Sequence, residues 1–142
     1  MPITQISIDV ENKPGMLNNV CEILEKEQIN IKAIMAFSVL EPVQIHLIVN
    51  DPVRAENVLR SNDFPISTKE VIAVATPDHP GGLNAVLRPL KEAGINIETL
   101  YPFIYHSNED AIMIIEVDMI KEAKKILKKH WVKTYSTEIY NM

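Results

Sequence analysis

Residues 14–31 read PGMLNNVCEILEKEQINI, and residues 80–97 read PGGLNAVLRPLKEAGINI. At this offset of 66, Pro14-Gly15, Leu17-Asn18, Val20, Leu24 and Ile29-Asn30-Ile31 find identical partners. Ile6 and Phe37 do so as well, giving 11 identities over the 33 pairs from Gln5/Val71 to Phe37/Phe103. Beyond them the offset becomes 68, matching Val49 to Val117, Ala55 to Ala123 and Leu59 to Leu127. The second copy therefore carries two extra residues, near positions 105–110. A period of this length is too long for most solenoid repeats and suits a duplicated small domain.

Each copy reads strand, helix, strand, strand, helix, strand. Ile6, Ile8 and Val10 alternate with polar neighbours, the period of a half-buried strand. The turn Asn12-Lys-Pro-Gly15 follows, and Pro is tolerated in a helix's first turn, where its missing N–H would have no partner. Leu17, Val20, Cys21 and Leu24 then form a helical stripe, repeated as Leu83, Val86, Leu87 and Leu90. Pro89 is expected to bend the second of these helices. Further strands are expected over 31–39 and 43–49, a helix over 52–61 and a strand near Ile66. In the second copy the last helix is expected over 120–130, with a strand beginning near Val132. The order βαββαβ makes an α+β, ferredoxin-like unit, an antiparallel sheet with its helices on one face. The expected domains are 1–69 and 70–142.

A unit of about 70 residues is marginal alone. In the second copy Ala73, Ala75, Leu100, Ile112 and Ile114 are expected to point away from the helices, an apolar face that asks for a cover. The matching positions of the first copy are mixed (Ser7, Asp9, Gln44, His46, Ile48). Side-by-side packing of the two copies and a homodimer are therefore expected.

Composition excludes several classes. The 142 residues are 46% apolar and 23% charged, an ordinary globular balance. Apolar runs such as Ala111–Ile115 are strand-sized, too short to span a bilayer. MPITQISIDV has no basic region followed by an apolar stretch, so a cytoplasmic protein with no membrane partner is expected. A net charge of −5 argues against a nucleic-acid partner. One Cys can neither close an internal disulfide nor build a Cys-rich metal centre. Cys21 lies on the apolar stripe and reads as a small core residue. The four His (His46, His79, His106, His130) lack metal-ligand spacing. No metal, no cofactor and no catalytic residue is expected.

Three of the four glycines, Gly15, Gly81 and Gly82, sit in the two strand-to-helix turns. A helix N-terminus there presents free N–H groups and a partial positive charge, suited to a carboxylate. Asn12 and Asp78 stand beside these turns, where they either cap the helix locally or contact a ligand. Asn30 and Asn96 interrupt apolar triplets at the start of the next strands. His79 lies in the second turn. Lys121, Lys124, Lys125, Lys128 and Lys129 form one face of the last helix, opposite Ile120, Ala123, Ile126, Leu127 and Trp131. That face reads as solvated or as a docking strip, and Trp131 as core.

The segment Glu11-Asn12-Lys13-Pro14-Gly15-Met16-Leu17, with Gln28-Ile29-Asn30-Ile31, resembles an ACT domain, an amino-acid-sensing module. Thr76-Pro77-Asp78-His79-Pro80-Gly81-Gly82-Leu83, with Ala93-Gly94-Ile95-Asn96-Ile97, resembles a second. The resemblance covers nearly the whole chain and implies a stand-alone regulatory pair without an attached enzyme. It implies a free amino acid held where two units meet, and a partner metabolic enzyme that responds to it. The implied ligand-binding residues are Asn12, Pro14, Gly15, Met16, Leu17 and Asn30 in the first copy. In the second they are Asp78, His79, Gly81, Gly82, Leu83 and Asn96. The serine-binding pattern of phosphoglycerate dehydrogenase regulatory domains has a His two residues before the loop Asn; Val10 and Thr76 stand there instead. Asp78 in place of Asn favours an ammonium group over a carboxylate. An assembly module without ligand is the alternative implied.

Other ferredoxin-like activities want residues that are missing. The third strands have none of the aromatics of an RNA-recognition domain, and neither loop has an Arg to hold phosphate. No nucleophile, base and orienting group can be assembled.

Overall fold

The computed structural model describes residues 2–38, 40–104 and 110–142. The chain divides into two compact units, one of Thr4–Lys69 and one of Glu70–Met142 with Ile3.

The first unit runs β1 (Ile3–Val10), α1 (Met16–Lys26), β2 (Ile31–Phe37), β3 (Val43–Val49) and α2 (Pro52–Ser61), and reaches the start of β4 (Ile66–Pro77). Its strands lie in the order β2-β3-β1-β4. β3 is antiparallel to both β1 (Ile8 opposite Ile45) and β2 (Ile34 opposite Leu47). The alternation read in the sequence places Ile6, Ile8, Val10, Ile45, Leu47 and Val49 against Val20 and Leu24 of α1 and Ala55 and Leu59 of α2. The helices therefore share one face, and burial of these side chains removes their apolar surface from water. On the other face Ser7 Oγ lies 2.8 Å from His46 Nδ1, and the His46 ring stacks at 5.5 Å on Phe37.

The second unit continues β4 through α3 (Gly82–Glu92), β5 (Ile97–Pro102), β6 (Asp110–Val117), α4 (Ile120–Lys129) and the short β7 (Thr134–Tyr135), then a 3-10 turn over Thr137–Asn141. The strand order is β7-β4-β6-β5, with β4 antiparallel to β6 and β7, and β5 antiparallel to β6. Ile72, Val74, Ile115 and Val117 pack against Val86, Leu90, Ala123 and Leu127 of its helices. α3 continues through the buried Pro89, whose carbonyl accepts from Ala93 N–H at 3.1 Å. The two extra residues of this copy fall in a stretch of which 105–109 lie outside the described residues, as does Val39 at the expected end of β2.

One expectation about faces needs correction. Leu100 does not point away from the helices: it pairs with Ile115 and packs into the helix-side core. A register shift between Ile97 and Thr99 inverts the parity, so Tyr101, opposite Ile114, takes the outer face. Ala73, Ala75, Ile112 and Ile114 are already buried within the single chain.

All four helices end alike. Gln28, Asp63, Gly94 and Trp131 adopt positive φ values of 57, 65, 72 and 61°. The next residue's N–H then reaches back five positions, Ile29 to Leu24, Phe64 to Leu59, Ile95 to Leu90 and Val132 to Leu127. This is the Schellman ending, with the apolar residue after the turn folded onto the core. It overturns the expectation for Trp131. The stripe would carry the indole inward had the helix continued, but α4 stops at Lys129 and the left-handed residue turns outward. Trp131 is 94% exposed.

Candidate functional site

The two strand-to-helix turns share one geometry. Gly15 (φ 88°) caps α1 and Gly81 (φ 84°) caps α3, and neither helix has a side-chain cap. A left-handed residue at this place suits glycine, which lacks the Cβ that makes that conformation costly. The helical ladders begin with Asn19 N–H to Gly15 carbonyl at 2.9 Å and Ala85 N–H to Gly81 carbonyl at 3.1 Å. The N–H groups of Leu17 and Leu83, inside the first turn, are left over by the helix itself.

Asn12 and Asp78 are exposed, and among the described residues neither side chain has a hydrogen-bond partner. The local capping role therefore falls to glycine backbone, not to them. Pro14, Gly15 and Gly81 are exposed and Met16 is half-buried. His79 Nδ1 lies 2.9 Å from the Pro80 carbonyl, which can only accept, so this nitrogen carries the proton. Gly82 is buried and differs from its counterpart Met16. A Cβ there would lie 1.8 Å from the Pro77 carbonyl oxygen, so the second turn is folded tightly onto its strand.

The expected helical stripe begins one turn late. Leu17 is 40% and Leu83 37% exposed, and only Val20, Leu24, Val86 and Leu90 of the two stripes are buried. In each unit an exposed leucine thus stands beside the uncapped N–H groups. Thr76 precedes the second turn and is 6% exposed, yet its Oγ1 has no partner among the described residues. Buried hydroxyls are usually satisfied.

Asn30 and Asn96 stand elsewhere. Asn30 N–H donates to Asn50 Oδ1 at 2.9 Å while Asn50 N–H donates to the Asn30 carbonyl at 3.1 Å. Asn96 does the same with Asp118, at 3.0 and 3.2 Å. These backbone clasps leave both Asn side chains exposed and without a partner among the described residues. Asn50 and Asp118 were not singled out in the sequence, although their separation of 68 matches the second-half offset. Val10 sits opposite Val43 and Ile31 opposite Val49, so Asn12 and Asn30 lie at opposite ends of β3. Its rise separates them by about 20 Å. Pro77 opposite Asp110 and Ile97 opposite Val117 separate Asp78 from Asn96 likewise. Within a unit the structure does not bring the loop and the second asparagine together.

Beside Asn30 lies a shallow groove of ≈ 430 Å³, lined by Cys21, Leu24, Glu25, Gln28, Ile29 and Ile31. Cys21 is half-buried at its rim, not within the core, because its helical position lies to one side of the buried stripe of Val20 and Leu24. Burial pushes its thiol up, which lowers its reactivity.

The model of an ACT domain pair matches residues 1–138. The chain belongs to the ACT domain family. The crystal structure of a Bacteroides thetaiotaomicron protein is similar over 100% of this chain and 98% of its own, with 31% identity and a TM-score of 0.91. The regulatory subunit of aspartate kinase from Thermus thermophilus superposes with a TM-score of 0.65 at 15% identity, over 92% of this chain and 93% of that one. The aspartokinase alpha and beta subunits give 0.58 at 18%, over 90% and 91%. At such identities the last two share the fold alone. Comparison with curated proteins gives no match. Two βαββαβ units with helices on one face are the ACT architecture. No helix among the described residues is long and apolar enough to cross a membrane.

Proposed function

We propose that this ACT pair is a non-catalytic sensor that binds a free amino acid where ACT units meet and so modulates a partner metabolic enzyme or regulator. One observation carries the reading. In both units an acid or amide side chain without a partner stands beside a helix N-terminus that no side chain caps. Uncapped N–H groups attract a carboxylate, and an Asn or Asp oxygen receives an ammonium group. The two together are the common part of every free amino acid. Asp78 is charged where Asn12 is neutral, and the unpartnered Thr76 hydroxyl has no counterpart at Val10. The two loops therefore differ in affinity, the second favouring the ammonium end.

Asn30 and Asn96 lie too far from the loops of their own units to touch the same small ligand. They serve a loop of another unit, and a homodimer is one way to supply it. Ligand and partner enzyme are then coupled reciprocally, each altering the other's affinity by one factor. A second reading, an assembly module without ligand, is favoured by the exposed Leu17 and Leu83, which suit a protein contact.

A thermal-shift screen against the twenty amino acids at about 5 mM separates the two. A ligand at 100 times its dissociation constant adds about 2.7 kcal/mol, which is roughly 5–10 °C for a chain of this size. The sensor reading expects a selective shift, weakened by Asn12→Ala or Asn30→Ala with melting of the unliganded protein unchanged. No shift with any amino acid leaves the assembly module.

A further inference from the structure

We propose that the lysine face of α4 and the exposed indole of Trp131 form a docking site for an acidic segment of a partner protein. The proposal does not rest on the amino-acid loops, although one of its grooves borders the second of them at Pro77 and Ala85. Residues 120–133 hold six lysines against Glu122 alone, a net of +5 on a chain whose total is −5. Lys121, Lys125, Lys128 and Lys129 are exposed, and none has an ion-pair partner among the described residues. Lys124 already holds a carboxylate, that of Glu70, and Lys133 lies 4.9 Å over the Tyr135 ring.

Trp131 is the second part of the surface. It takes φ 61° at the end of α4, where the equivalent turn of α3 has Gly94. A bulky side chain is a genuine outlier in that conformation, and nothing inside the protein rewards it, since the indole is 94% exposed. Its backbone is nevertheless fixed. Val132 N–H donates to Leu127 and Ala75 N–H to the Lys133 carbonyl at 2.9 Å, tying both flanks of the residue to the unit. Two grooves share Trp131 as a lining residue. One of ≈ 570 Å³ is lined by Lys124, Lys128, Thr134 and Tyr135. Another of ≈ 290 Å³ is lined by Pro77, Ala85, His130 and Lys133.

A fixed, exposed tryptophan ringed by cations has the composition of an interface anchor. The charge balance selects the occupant. Outside this segment the chain carries −10, which repels an extended polyanion such as nucleic acid or an anionic bilayer. A short acidic segment laid along α4, about 15 Å long, stays over the lysine face, and acidic groups more than a screening length of about 8 Å from it are largely screened. An apolar side chain within it would fill the groove beside the indole.

Trp131 is the only tryptophan, so emission excited selectively at tryptophan, apart from the four tyrosines, reports on this surface alone. The probe is a labelled ten-residue peptide of alternating Asp and Glu around a central Leu-Phe pair. We expect a blue shift of Trp131 emission with this peptide, and affinity about tenfold lower at 0.5 M salt than at 0.05 M. By peptide anisotropy, Lys128→Glu and Trp131→Gly should each weaken binding by about tenfold or more. Glycine suits the backbone at position 131, so that variant keeps its fold. Four results would overturn the proposal: no response to the acidic peptide, unchanged binding by both variants, an equal response to a ten-nucleotide oligothymidylate, or one to phosphatidylserine vesicles. Sedimentation in which Lys128→Glu dissociates a dimer would instead assign the face to a second copy of this chain.

Discussion

Replacing Gly82 by alanine tests how the second turn is built. The added Cβ would meet the Pro77 carbonyl oxygen at 1.8 Å and the carbonyl carbon at 2.8 Å. Ordinary contact begins at 3.4 Å, so α3 and the end of β4 must part by about 1.6 Å. Neither can give way cheaply, because both are backbone. The turn is further held by Gly82 N–H to the His79 carbonyl at 2.9 Å and His79 N–H to the Pro77 carbonyl at 3.0 Å. Overpacking of a well-filled site costs about 1–3 kcal/mol, and a rigid obstacle puts this case at the upper end. A loss of ~3 kcal/mol lowers the melting temperature by roughly 10 °C. The control is Gly15→Ala. There no atom lies within 4 Å of the new Cβ, and only the left-handed φ of 88° is penalised, by about 1–2 kcal/mol. Urea unfolding followed by circular dichroism compares the two. If Gly82→Ala loses no more stability than Gly15→Ala, the close approach to Pro77 does not shape this turn and the reasoning fails. The structure also predicts where the damage stays: Met16 occupies the equivalent place in the first unit, so amide exchange within 4–69 should be unaltered.

Three further expectations follow from individual groups. Burial, and then the nearby Glu116, push the Tyr101 phenol far above its ordinary value of about 10. The unfolded chain releases this proton above pH 10 while the folded protein keeps it, so stability falls as pH rises past 10. The slope reaches about 1.4 kcal/mol per pH unit, and in urea titrations Tyr101→Phe should remove that slope whatever it does to stability at pH 7. Asn50→Ala and Asp118→Ala each delete the side-chain half of a clasp, the bond from the Asn30 or Asn96 N–H just before β2 or β5, and should cost about 1 kcal/mol. Faster exchange of the Asn30 or Asn96 amide, respectively, would localise the loss, and unchanged exchange would refute the clasp. Burial raises the Cys21 thiol, so at pH 7 a disulfide reagent should modify it more slowly in the folded protein than after denaturation; equal rates would place it outside the groove rim.

Much of this fold was legible because two periodicities suffice to write it. Ile6, Ile8 and Val10 alternate, Val20 and Leu24 recur at a helical spacing, and the second copy repeats both. β3 and α2 fall where their apolar patterns put them, at Val43–Val49 and Pro52–Ser61. The errors arise where a single residue changes phase. Parity alone puts Leu100 on the outer face, but the ladder slips between Ile97 and Thr99. The helical stripe puts Trp131 in the core, but α4 stops two residues before it. Neither a bulge nor a left-handed stop is marked by residue type here. Glycine marks the stop of α3, whereas Gln28, Asp63 and Trp131 mark nothing.

The candidate site divides along the same line. Its parts were readable, since Asn12, Asp78, Asn30 and Asn96 stand at equivalent places of a repeat. Their assembly was not, because Asn12 and Asn30 are near in sequence and yet lie at opposite ends of the strand they flank. That separation converts a list of residues into a requirement. A ligand small enough to be one amino acid cannot join both from a single unit, so a site using them is completed by another unit or does not exist. Single variants of Asn12 and Asn30 that weaken one ligand equally, with no additive loss in the double variant, would show that the two asparagines work on the same molecule. Additive losses would mean that the two contacts are energetically independent.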